Sequence, residues 1–300
     1  MSAKVHPLAD LGAIFVCTLA WGSTWYAITH QLGVVDPVAS VVYRFVLAAA
    51  LLFAWCLLRR EPVMLTRGQH LEALGLGVST FAINYVFVYW AEARVSSAVV
   101  AVLFASLTFV NLLLFRVVFR DRARATAWVA ALLGICGIAI LSWGEIAQAS
   151  FDASAWHGLA LAFVGVAGSA IGNVYARRGQ EIATPIAAST AWAMIYGVTA
   201  LLIVGLVRGV EWRIDLRAPY VLSLLYLSVI GSVVAFLLYY GLARRRGYAT
   251  ASYISALTPP VAMLISALFE DKHWSLYAFG GVAFVLAGQW LLLWSRKDPN

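Results

Sequence analysis

The sequence predicts an all-α integral membrane protein of ten transmembrane helices, built as two inverted five-helix repeats. Two observations carry this expectation. Of the 300 residues, 63% are hydrophobic and only 12% charged, with a mean hydropathy of +0.85. A soluble domain carries about 25% charged residues, so this chain has roughly half the usual supply for a surface facing water. The second observation is that residues 93–122 align without a gap on residues 243–272.

The apolar residues fall in runs near the ~20 that cross a ~30 Å hydrocarbon core as a helix. They place spans at approximately 8–30, 36–58, 69–93, 96–119, 124–143, 156–178, 185–207, 219–243, 248–270 and 274–295. Helices are required because backbone in lipid must satisfy its own hydrogen bonds, and the runs are too long and unalternating for barrel strands. The first run resembles a signal peptide, but its length and the spans that follow make it a retained helix. Asp36-Pro37 opens the second span and Thr184-Pro185 the seventh. The sixth holds Gly168 and Gly172, flanked by Gly165 and Ser169, a spacing suited to close helix packing. Trp143, Trp156, Trp212 and Trp274 stand at span ends as interfacial anchors.

Charge placement gives an orientation. With the N-terminus cytoplasmic, fourteen Lys and Arg fall in inside segments and five outside, while Arg44 and Arg116 lie within spans. That bias predicts an even number of spans with both termini cytoplasmic. The net charge of +7 is spread over these short clusters rather than one patch, which argues against nucleic-acid binding. Cys17, Cys56 and Cys136 lie in apolar segments without metal-type spacing and read as buried packing residues.

In the self-alignment, Ala93, Arg94, Ala101, Leu107, Thr108, Leu114, Phe119 and Asp121 each match the residue 150 further on, and Tyr89 matches Tyr239. The repeats are therefore 1–150 and 151–300. Five spans is an odd number, so the second copy enters the membrane the other way up. Inverted repeats are a transporter design, with the substrate site near the midplane and two access states that exchange.

Trp21-Gly22-Ser23-Thr24, Tyr43-Arg44-Phe45 and Leu257-Thr258-Pro259-Pro260 before Phe269-Glu270-Asp271 resemble the EamA family of the drug/metabolite transporter superfamily. The resemblance covers essentially the whole chain, and within the family it is greatest to the YddG-type aromatic amino acid exporters. It implies export of aromatic and other neutral amino acids by alternating access, with no cofactor and a monomer as the working unit. The chain departs from the family in carrying Thr108-Phe109 where a proline is usual, and Asp121 and Asp271 where Glu is common. The fourth helix thus lacks the ninth's reason to kink.

Polar groups at membrane depth mark candidate site residues. Asn84 and Asn173 each have two readings of equal weight, a contact to substrate or an interhelical hydrogen bond of about 0.6–2 kcal/mol. Asn111 ranks below them. Arg44 lies roughly 12 Å inside its span. It is suited to fork a carboxylate or, with more weight, to brace helix-end carbonyls. Trp21, Trp25, Tyr43, Tyr85, Tyr89, Phe104, Thr108, Tyr239, Tyr253 and Thr258 complete the candidate substrate set. Tyr85 and Tyr89 share a helix face. Any single aromatic is more often packing than site; the cluster on the third helix is the stronger signal. Pro259-Pro260, at the centre of the ninth span, is read as a hinge or break.

Absences bound the function. No Asp or Glu lies near a midplane and all five histidines lie at ends or in loops, so facilitated diffusion or exchange is expected rather than proton coupling. Ser23, Ser106, Ser169 and Ser232 have no embedded histidine to activate them, which disfavours an intramembrane enzyme. A phosphate-binding loop and a metal-ligand cluster are both missing. Efflux of drug-like compounds remains the second carrier reading.

Overall fold

The computed structural model describes residues 7–121, 125–148, 153–251, 253–269 and 275–294. Every regular element among them is helical. In chain order these are α1 (Pro7–Thr29), α2 (Pro37–Arg59), α3 (Arg67–Glu92), α4 (Ser97–Phe104 with Leu107–Phe119), α5 (Ala125–Gln148), α6 (Ala153–Glu181), α7 (Ile186–Arg208), α8 (Ala218–Arg246), α9 (Tyr253–Phe269) and α10 (Leu276–Trp294). One turn, Tyr248–Ala251, stands between α8 and α9. By length and composition α1, α2, α3, α4, α6, α7 and α8 can cross a membrane. The other three contain shorter apolar stretches, Trp128–Gly137, Leu257–Phe269 and Leu276–Gly288. Of the residues singled out in the sequence, Lys4, Arg122, Arg124, Glu270, Asp271, Lys272, Trp274, Arg296 and Lys297 lie outside the described set, as do the side chains of Trp143 and Tyr253.

The bundle is apolar outside, and the polar groups at membrane depth are turned inward. Phe15, Val117, Leu132, Ile203 and Leu222 are exposed, whereas Arg44, Asn84, Asn111 and Asn173 are buried. This inverts a soluble protein and suits lipid as solvent. Two cysteines follow the packing expectation, but Cys136 is exposed. Its helix presents that face outward, and in lipid a thiol incurs little penalty there.

Helix starts follow local chemistry. Asp36 accepts from the Val38 amide at 2.8 Å with Pro37 in the first helical position. Thr66 and Gln69 form a capping box at the start of α3. α5 packs along α10, α2 along α7 and α4 against α9. α1 lies against α8 and α9, α3 against α6 and α7, α4 against α6, and α2 against α8. Exchanging each helix for the one five places away maps these pairs onto themselves.

Two helices carry an irregularity that hydropathy does not announce. Gly77–Asn84 in α3 and Val229–Val234 in α8 are π-helical. An offset of 150 carries 79–84 onto 229–234. Such wide turns cluster at functional sites. α6 meets the first of them through its glycine face. A Cβ on Gly172 would stand 1.8 Å from Thr80 Oγ1, and one on Gly168 would stand 2.9 Å from the Ser79 carbonyl. The close packing expected of this pair is thus set against the α3 π-turn.

α4 is interrupted where no proline stands, and α9 is continuous where two do. α4 is interrupted at Ala105–Ser106, where Ala105 N bonds Val102 O and Ser106 N bonds Leu103 O, both at 3.0 Å. The Ser106 hydroxyl adds a 2.6 Å bond to the same Leu103 carbonyl. α9 runs as one helix through Pro259 and Pro260, so no break stands there. Pro259 cannot donate to the carbonyl four residues back, which is Ser255's. The Thr258 hydroxyl does so in its place at 3.0 Å.

Candidate functional site

Helices α1, α3, α4, α6, α8 and α9 converge on a cleft of about 710 Å³, space open to solvent included. Trp21, Trp25, Asn84, Tyr85, Phe104, Asn173, Tyr239 and Thr258 from the candidate set all line it. The walls are aromatic. Trp21 lies 5.4 Å from Phe236 and 5.1 Å from Tyr239, centre to centre, and Trp25 lies 4.9 Å from Phe104.

A few polar groups interrupt this wall. Asn84 Oδ1 and Trp25 Nε1 are buried and have no hydrogen-bond partner among the described residues, and the Tyr239 hydroxyl faces the Asn173 side chain. An unmet buried polar group costs about 1–3 kcal/mol, so each favours a ligand or water that completes it. Asn173 Nδ2 donates to Asn111 Oδ1 at 3.3 Å. Asn173 thus makes the expected interhelical bond and lines the cleft as well. Asn84 closes the α3 π-turn and is 5% exposed.

Four candidates do not reach the cleft. The Tyr43 hydroxyl donates to the Arg213 carbonyl at 3.2 Å, in the connection between α7 and α8. Tyr89 is buried one turn beyond Tyr85 and donates to Gln31 Oε1 at 2.9 Å. Thr108 is buried past the α4 interruption. Arg44 is fully buried against the α8 π-turn. Its Nε donates to Ser232 Oγ at 3.0 Å, its Nη2 reaches the Gly231 carbonyl at 3.4 Å, and its guanidinium lies 4.5 Å from the Tyr85 ring centre. That Gly231 carbonyl also accepts from Trp21 Nε1 at 3.2 Å. Arg44 thus bonds one carbonyl of the α8 π-turn, while its Nη1 has no hydrogen-bond partner among the described residues.

Sequence reasoning left out Thr80, Ser169, Phe236, Tyr240 and Ser255, which also line the cleft. Ser169 beside the glycine pair and Tyr240 beside Tyr239 were the readable signals. Among the described residues no three His, Cys, Asp or Glu side chains form a metal-type group.

Residues 9–143 and again 156–294 match the family of EamA-like transporters. The chain is 28% identical to the inner membrane transporter YedA of Escherichia coli over 85% of its own length and 80% of that protein's. It is 22% identical to the protein PagO of Salmonella typhimurium, over 94% and 92% of the two chains. A transporter of Synechocystis matches at 25% identity over 91% and 86%. One solved crystal structure superposes with a TM-score of 0.73 over 96% of this chain and 99% of its own, at 16% identity, which shows a common fold.

Proposed function

The chain belongs to the EamA-like transporter family and is a membrane transporter, and from that premise we propose that it exports amino acids, aromatic ones among them, across a bacterial inner membrane by alternating access. The observation that carries the cargo class is the cleft itself. Its aromatic walls suit a bulky apolar side chain, while Asn84 Oδ1 and Trp25 Nε1 offer an acceptor and a donor to a zwitterionic head. Drug-like efflux, the second reading, would use the same walls.

The mechanism rests on reading the chain as ten spans in two inverted repeats, 1–150 and 151–300. Three observations support it: the family matches the chain twice, the nine helix pairs named above map onto themselves under exchange of halves, and the two π-turns end at one offset. No Asp, Glu or His lines the cleft, so the substrate gradient is the driving force of the proposed cycle.

Counterflow of labelled L-phenylalanine into proteoliposomes tests the assignment. Asn84→Leu and Trp25→Ala should each lower it about tenfold or more, the loss of one substrate hydrogen bond or stacking contact. Asn84→Leu should melt at or above the wild-type temperature, because it removes an unmet buried amide oxygen. Normal counterflow in both variants would move the site away from this cleft.

A further inference from the structure

A second cavity, about 360 Å³ with its open space included, lies among α3, α6, α7 and α8, where α3 begins and α8 ends. Under the charge-derived orientation this is the cytoplasmic end. Its lining holds what the cleft lacks, an ionisable pair, Glu72 and Arg244. Glu72 Oε2 and Thr184 Oγ1 are buried, and neither has a hydrogen-bond partner among the described residues. The two converge. A Cβ on Gly179 would stand 3.5 Å from Thr184 Oγ1 and 3.7 Å from the Glu72 Cβ.

The donors around them are directed elsewhere. Gln69 Nε2 donates to the Ile182 carbonyl at 3.4 Å. Gln180 Nε2 is shared between the Tyr240 carbonyl at 3.4 Å and the Tyr248 hydroxyl at 3.2 Å. Arg244 donates to the Thr184 carbonyl. Arg178 and Glu181 act on Glu72 through space with opposite signs, and among the described residues Glu72 forms no ion pair. What stays unmet is a carboxylate oxygen and a hydroxyl on the lining of one cavity. That pair asks for a cationic donor, and an ammonium group brings three N–H bonds to it. Tyr240 lines both this cavity and the cleft, with its ring stacked 5.6 Å from Phe236.

We propose that this cavity is a second binding site, a vestibule where the ammonium group of a primary amine with an apolar or aromatic body rests on Glu72 and Thr184 before passing Tyr240 into the cleft. That the amine is an amino acid rests on the function proposed above; the place and the preference for an amine rest on the cavity alone.

The test is calorimetric titration of the purified full-length chain in detergent with phenylethylamine, an amine without a carboxylate, and 3-phenylpropionate, a carboxylate without an amine. Glu72→Gln should weaken phenylethylamine binding about tenfold and leave 3-phenylpropionate within about twofold. Thr184→Val should weaken the amine severalfold, and Glu72→Asp should restore part of what Glu72→Gln loses. Absence of amine binding in the wild type, or equal binding in folded Glu72→Gln and Thr184→Val, would overturn the vestibule. Wild-type protein that gives no amino acid counterflow, yet binds phenylethylamine through Glu72, would instead overturn the amino acid reading and keep the site.

Discussion

Arg44 has no solvent contact, and the groups that hold it are a serine hydroxyl, a backbone carbonyl and a tyrosine face. A desolvated cation–π contact is worth about 2 kcal/mol and a hydrogen bond to a charged group about 1.5–3. Arg44→Ala should therefore destabilise the chain by about 3 kcal/mol or more, read as a lowered melting temperature in detergent. Arg44→Lys keeps the charge but loses the fork and should fall between. If Arg44→Ala melts like the wild type while transport is lost, the brace is wrong and a substrate role returns. A charge or amide in hydrocarbon is conspicuous, so Arg44, Asn84 and Asn173 were legible from sequence. Tyr85 and Tyr89 were not separable, because one helix face holds both. What divides them is Gln31, on a different helix, which takes the Tyr89 hydroxyl.

At the level of elements, most boundaries were legible to within a few residues. The second span, expected at 36–58, is Pro37–Arg59, and the seventh, expected at 185–207, is Ile186–Arg208. The π-turns were not legible, because one extra residue per turn leaves the hydropathy of a buried run unchanged. The same blindness hid the α4 interruption, which is made by backbone bonds and the Ser106 hydroxyl rather than by proline. The contact between Gly172 and Thr80 offers a direct probe of how α6 sits on the α3 π-turn. Gly172→Ala should lose about 1–3 kcal/mol of stability by overpacking. Thr80→Ala in the same chain removes the clashing hydroxyl and should recover most of that loss. Thermal unfolding of the two single variants and the double measures the coupling; purely additive losses would mean that the helices do not meet there.

Across the whole molecule, hydropathy says which residues avoid water but not which helix neighbours which. The pairings of α5 with α10 and α2 with α7 therefore had to come from structure. Lys and Arg placement did foreshadow one feature, a charged end of the bundle. There Asp10 receives Arg245 at 3.0 Å and Arg246 at 2.6 Å, tying α1 to α8. Asp121 receives Arg177 at 2.6 Å, tying α4 to α6, with Phe119 4.0 Å beneath the guanidinium. If this end is cytoplasmic, single cysteines in a chain lacking Cys17, Cys56 and Cys136 will report it. In intact cells a membrane-impermeant maleimide should label Glu211→Cys, between α7 and α8, and spare Glu61→Cys, between α2 and α3. The reverse pattern would invert the topology.

Every side chain lining the cleft is uncharged at neutral pH. Moving one elementary charge through 100 mV is worth about 2.3 kcal/mol. A neutral cleft that turns from one membrane face to the other moves none, and neither does a zwitterion riding in it. The proposed cycle is therefore electrically silent, and the cell's resting potential neither helps nor hinders it. Net efflux of L-phenylalanine from proteoliposomes should keep its rate when valinomycin and a potassium gradient impose a diffusion potential. A rate that followed the potential would mean that a buried charge, Arg44 first among them, travels with the cleft.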